Sequence, residues 1–109
     1  MQVLYERIEK VMIEKKLYLN ADFDIKMLAE VANSSRPVVS ACINSKTGKS
    51  FRTWLSEYRL ALFEKMIKEN PNAPIDELVA QCGYKDQSTF RRQFKEKYGM
   101  SALQYKRQS

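Results

Sequence analysis

A chain of 109 residues has room for one ordinary domain or two very small ones that share a core. Apolar residues make up 44%, too many for disorder, and three glycines and three prolines supply little material for hairpins or long loops, so the chain reads as all-helical. The net charge of +6, from 19 basic and 13 acidic residues, points toward an anionic partner, while the lack of histidine argues against metal and acid–base chemistry.

The first expected helix covers residues 3–17, where Val3, Leu4, Ile8, Val11 and Met12 recur every three or four positions. Charges every few residues leave no continuous apolar stretch there, so it is neither a signal peptide nor a membrane span; the expectation is a cytoplasmic protein without membrane contact. Asn20-Ala21-Asp22 breaks the pattern. A short helix follows at about 25–32 with Asp24 as its N-cap, and Asn33-Ser34-Ser35 forms a turn. Ser35 caps the next helix, whose first turn accommodates Pro37 because the missing N–H has no intrahelical partner there. That helix stops at Thr47-Gly48. A long helix spans about 50–69 and ends at Asn70-Pro71-Asn72-Ala73-Pro74. Then come a helix at 75–82, a turn at Gly83-Tyr84-Lys85-Asp86, a helix at about 87–98 closed by Gly99, and a last helix at about 101–107.

These elements repeat. A shift of 50 residues brings Ile25, Leu28, Ala32 and Asn33 onto Ile75, Leu78, Cys82 and Gly83. The second turn is one residue longer, and beyond it a shift of 51 brings Val39, Ile43, Gly48, Ser50 and Trp54 onto Phe90, Phe94, Gly99, Ser101 and Tyr105. Each copy has a short helix, a tight turn, a helix with an apolar pair four residues apart, and a glycine stop, which is helix-turn-helix grammar. The first unit covers about 17–48, the linker helix about 50–69 and the second unit about 75–107.

Charge follows the same division. Residues 31–54 carry Arg36, Lys46, Lys49 and Arg52 and no acid; residues 85–107 carry seven basic residues against Asp86 and Glu96. Those windows hold +4 and +5 and leave the rest of the chain at −3, the pattern of two contact points on a polyanion. A rigid helix of about 20 residues spans about 30 Å, close to the ~34 Å between successive major-groove faces of B-DNA. Double-stranded DNA is therefore the expected partner, and a helix-turn-helix scaffold that binds protein instead is the competing reading. Cys42 and Cys82, each in an apolar helical pattern, read as small buried residues in a reducing compartment, and no cofactor or metal is expected. There is no glycine-rich phosphate loop and no nucleophile beside a base, so the chain does not read as an enzyme.

Residues 17–107 resemble the DNA-binding domain of AraC/XylS-type transcription regulators. The resemblance rests on Thr47-Gly48-Lys49-Ser50-Phe51, on Tyr58-Arg59-Leu60, and above all on the run from Gly83 to Lys95 followed by Tyr98-Gly99-Met100-Ser101 and Tyr105-Lys106. It implies a seven-helix, all-α domain of two helix-turn-helix subdomains bridged by the long helix, each placing its second helix in the major groove. Most members of that family are activators and bacterial regulators with a separate sensing or dimerising region, which the resemblance implies as a partner outside these 109 residues; RNA polymerase is a further partner it suggests. Departures from the family pattern are Asn33 where glycine is common, Ala102 where proline is usual, and Ala41, Asn44 and Ser45 where arginine or lysine often stands. Ala61 and Leu62 take helix positions that are usually polar in the family, and so are either a partner surface or ordinary packing.

The two units are expected to play unequal parts. With Phe90 and Phe94 inward, Gln87, Ser88, Arg91 and Arg92 point outward as base readers. An arginine fork meets O6 and N7 of guanine together, and a glutamine amide pairs similarly with adenine. Lys95 and Lys97 are expected on phosphates, which position without specifying. In the first unit the outward face is Arg36, Pro37, Ser40, Ala41 and Asn44, which either reads bases by methyl contact, hydroxyl and amide or only tracks the backbone. Lys46, Lys49 and Arg52 supply its phosphate contacts.

Overall fold

The computed structural model of the chain describes residues 2–108, which form seven α-helices and one 3-10 turn, with no strand among them. In order these are α1 (Gln2–Lys15), a 3-10 turn (Leu17–Leu19), α2 (Ile25–Val31), α3 (Arg36–Thr47), α4 (Phe51–Glu69), α5 (Ile75–Gln81), α6 (Gln87–Tyr98) and α7 (Ala102–Gln108). The all-α expectation holds. Boundaries differ by a residue at several ends, and by two at α1, which ends at Lys15 rather than residue 17 because Lys16 takes a left-handed conformation (φ 48°) and the chain tightens into the 3-10 turn. Two compact units divide inside α4, one ending at Leu55 and the other beginning at Ser56.

In the first unit, α3 packs on both α1 and α2. Ile8 and Met12 of α1, Leu28 and Ala29 of α2, and Val39, Cys42 and Ile43 of α3 are buried, joined by Trp54 and Leu55 from the start of α4. Burial follows the three-and-four spacing read from the sequence at Ile8 and Met12, whereas Val3, expected on the same face, is 70% exposed at the start of α1. Arg7 reaches from α1 and donates through Nη1 to the carbonyl of Ala32 at 2.9 Å, satisfying an acceptor at the end of α2 that the helix leaves open.

In the second unit the core is aromatic. Phe63 of α4 meets Phe90 and Phe94 of α6 at ring-centroid distances of 4.7 and 5.7 Å, and Phe94 contacts Tyr105 of α7 edge-on at 5.6 Å. Full burial of Phe63, Phe90 and Phe94 contributes roughly 1.5–3 kcal/mol each. Leu62 packs against this core, whereas Ala61 is exposed. Glu64 of α4 gathers the periphery: its carboxylate accepts from Tyr98 Oη at 2.8 Å, Tyr105 Oη at 2.9 Å and Lys68 Nζ at 3.0 Å. The tyrosine and lysine donors lower its pKa from 4.5 to about 2. Cys82, fully buried beside Met66, has its thiol pKa pushed up to about 11 by burial, so it is a packing group and not a reactive one.

Candidate nucleic-acid interface

Each unit presents one helix after a tight turn, and the two turns share a design. The first relies on Asn33 at φ 54° and the second on Gly83 at φ 92°; asparagine and glycine are the residues that enter this left-handed region most readily. Ser35 then caps α3, its Oγ accepting from the backbone N–H of Val38 at 3.4 Å. Asp86 caps α6 the same way, its carboxylate accepting from the backbone N–H of Thr89 at 2.7 Å and from the Thr89 hydroxyl at 3.2 Å. Those bonds hold the Asp86 carboxyl below its ordinary pKa, so it stays charged at the N-terminus of the helix, where negative charge is favoured. Both helices end on glycine in nearly the same left-handed geometry, Gly48 at φ 72° and Gly99 at φ 73°, each donating its N–H to the carbonyl four residues back at 2.8 Å. The correspondence continues past the stop. Ser50 caps α4 through the N–H of Thr53, and Ser101 caps α7 through the N–H of Gln104, both at 3.2 Å.

The inward triplets match as well: Val39, Cys42 and Ile43 on α3, and Phe90, Gln93 and Phe94 on α6, are buried. At 3.6 residues per turn, the stripe opposite them holds Pro37, Ala41 and Asn44 on α3 and Ser88, Arg92 and Lys95 on α6. All six are exposed. Ser40 and, in the second unit, Arg91 are also exposed, on the flank of the same face; Arg36, exposed as well, sits three residues before buried Val39 at the position that corresponds to Gln87. Gln87 differs from the outward placement expected of it: it is half-buried, and its amide leans toward α5 to donate to the Asp76 carbonyl at 3.4 Å. Gln87, Arg91 and Lys95 border a cleft of about 380 Å³ floored by Ile75, Phe90 and Ala102, which leaves their side chains room to reorient.

Of the expected phosphate contacts, Lys46, Arg52, Lys95 and Lys97 are exposed, Lys97 lying 5.5 Å over the Tyr98 ring, while Lys49 is half-buried at the junction before α4. No helix among the described residues is long and apolar enough to cross a membrane.

The sequence reading passed over one group in the second unit. Tyr84, in the turn, donates its hydroxyl to Gln93 Oε1 at 2.7 Å, and the Arg59 guanidinium lies 5.5 Å over the Tyr84 ring. All three side chains are buried, and burial raises the pKa of Tyr84 and lowers that of Arg59. The signal was present: a glutamine three residues after Phe90 and one before Phe94 lies on the core face, where an amide needs a partner.

Comparison with known proteins gives a consistent result. The helix-turn-helix domain family matches residues 28–108. The chain is 28% identical over 102 residues to a probable transcriptional regulator, LumQ, of Photobacterium leiognathi, covering 92% of this chain but 41% of that protein. The C-terminal domain of the response regulator AraT from Geobacillus stearothermophilus superposes with a TM-score of 0.79 at 26% identity, covering all of this chain and 87% of that one. At 24% identity, the C-terminal domain of the two-component response regulator yesN from Fusobacterium nucleatum has the same fold, with a TM-score of 0.79 and coverage of 94% and 96%. With the paired turns, caps and outward faces, these matches identify the chain as a member of the AraC-type helix-turn-helix family, a DNA-binding domain of transcription regulation.

Proposed function

We propose that the chain binds double-stranded DNA sequence-specifically, with α3 and α6 entering successive major grooves and α6 doing most of the base reading. The observation that carries this reading is the outward stripe of α6, where Ser88, Arg92 and Lys95 are exposed on a helix whose turn and caps match those of α3. Arg91 and Arg92 are the guanine readers, Ser88 and Gln87 supply hydroxyl and amide contacts, and Lys95 and Lys97 hold phosphates. Gln87 reads only after leaving the Asp76 carbonyl, a weak bond at 3.4 Å.

On α3, Arg36, Pro37, Ser40, Ala41 and Asn44 meet the groove with one charge among them, and Lys46, Lys49 and Arg52 anchor the strand beside it. The first unit thus mainly tracks the backbone. The reading assigns the chain no catalytic step and places it in the bacterial cytoplasm, attached in function to a sensing or dimerising region and acting on RNA polymerase.

Selection from random duplexes, with affinity of the winners measured at two salt concentrations, tests this. Two short preferred blocks about one helical turn apart are expected. Binding through about six phosphates should weaken about 1,000-fold between 50 and 200 mM salt. Recovery of no motif together with salt-insensitive binding would reject DNA reading in favour of a protein-interaction scaffold.

A further inference from the structure

The second unit contains a polar lock between its turn and its second helix, and its position suggests a role beyond stability. We infer that Tyr84 and Gln93, braced by Arg59, are positioning residues that set the rotation of α6 about its own axis and so determine which bases the second unit accepts. This rests on the proposal that α6 reads bases.

Apolar packing is non-directional. Phe90 and Phe94 pressed against Phe63 hold α6 at a given depth but resist a small roll only weakly. The Tyr84–Gln93 hydrogen bond is directional and, at 2.7 Å in a buried setting, tight. Its donor sits on the turn that leads into α6, and its acceptor lies on the inward face of α6 two turns along. Arg59 covers the Tyr84 ring from α4, at 5.5 Å from its centroid, so the tyrosine is braced by an element outside the rolling helix. The amide of Gln93 immediately follows Arg92 in the chain, so a roll that breaks the bond also swings the guanidinium of Arg92. A contact set built on side chains tolerates only about 10–20° of misorientation before it fails.

The first unit shows what is missing without the lock. Cys42 stands where Gln93 does, and a thiol bonds weakly. The shorter turn Asn33-Ser34-Ser35 has no aromatic residue to match Tyr84. A helix that follows the backbone needs less rotational definition than one that reads bases.

The test compares the unsubstituted domain with Tyr84→Phe and with the double variant Tyr84→Phe/Gln93→Leu, which removes both polar ends and leaves no buried amide without a partner. For each, affinity is measured on the selected duplex and on duplexes with single base changes in either block. Both variants should lose about tenfold of their discrimination at the second block and keep it at the first, even where urea denaturation shows the double variant as stable as the parent. Unchanged discrimination at the second block, or a uniform loss at both blocks that tracks stability, would overturn the inference. If the unsubstituted domain itself shows no preference at the second block, the underlying proposal that α6 reads bases fails as well.

Discussion

The two helix-turn-helix units differ in the chemistry of their outward faces and agree in the placement of their caps, stops and inward positions. Their second helices are both 12 residues long, each capped by an acceptor side chain at its start and closed by a left-handed glycine at its end. On α3 the exposed stripe is Pro37, Ala41 and Asn44; on α6 it is Ser88, Arg92 and Lys95. The backbone instructions and the recognition chemistry occupy separate positions, so one can be kept while the other changes. The inward side chains diverge in kind also, with Val39, Cys42 and Ile43 on α3 and, on α6, Phe90 and Phe94 packed in tilted and edge-on contacts with Phe63. In the inference drawn above, it is the Tyr84–Gln93 bond that gives α6 the more defined orientation.

The sharpest way to break the comparison is Arg92→Ala against Ala41→Ser, its counterpart on α3. Removing the arginine should cost about 10–100-fold in affinity for the selected duplex while affinity for unrelated DNA falls much less. The serine substitution should leave both within error. Equal effects in a competition binding assay would dissolve the distinction between the units. The converse graft, Ala41→Arg, gives α3 the missing cation and should raise affinity roughly three- to tenfold and add a preferred base to the first block. An unchanged motif in repeated selection would take α3 out of the groove.

Gly48→Ala and Gly99→Ala probe the shared frame instead. A Cβ at either position meets nothing within 4 Å, so the whole cost is that of a left-handed backbone, about 1–2 kcal/mol. Urea denaturation should give equal losses for the two, and a marked inequality would mean the stops are not equivalent. The smallest effect depends on pH and disappears in acid. Glu64 has a folded-state pKa depressed to about 2, so the stability it contributes is complete above about 4.5 and fades as pH falls toward 2. Glu64→Gln should lower stability at neutral pH and flatten the stability–pH curve over that window.

Much of this was legible in the chain. Asp24 and Ser35 were readable as caps, Asn33 as a residue able to take a positive φ, and Gly48 and Gly99 as stops, because each acts through its immediate neighbours. The end of α1 was not, since Lys16 enters the left-handed region with no glycine or proline to mark it. Nor was the Glu64 cluster: its tyrosine partners lie 34 and 41 residues away, and helical periodicity carries no information about which charged residue on one helix meets which hydroxyl on another. For the candidate site, the outward positions followed from the inward ones by the 3.6-residue period. The half-burial of Gln87 was in the same period, since it stands three residues before Phe90, but its bond to the Asp76 carbonyl on α5 was not, because a helical period says nothing of contacts with another helix.

The separation of inward triplet from outward stripe also shapes how such a domain diverges. Ser40, Ala41 and Asn44 are exposed, so drift at those sites is nearly neutral for folding and, under the proposed docking, visible only to the operator. One unit can hold a promoter through charge while the other samples new alphabets of contact. The same arrangement makes α3 a ready scaffold for randomised libraries, in which most members would fold and differ only in the DNA they choose.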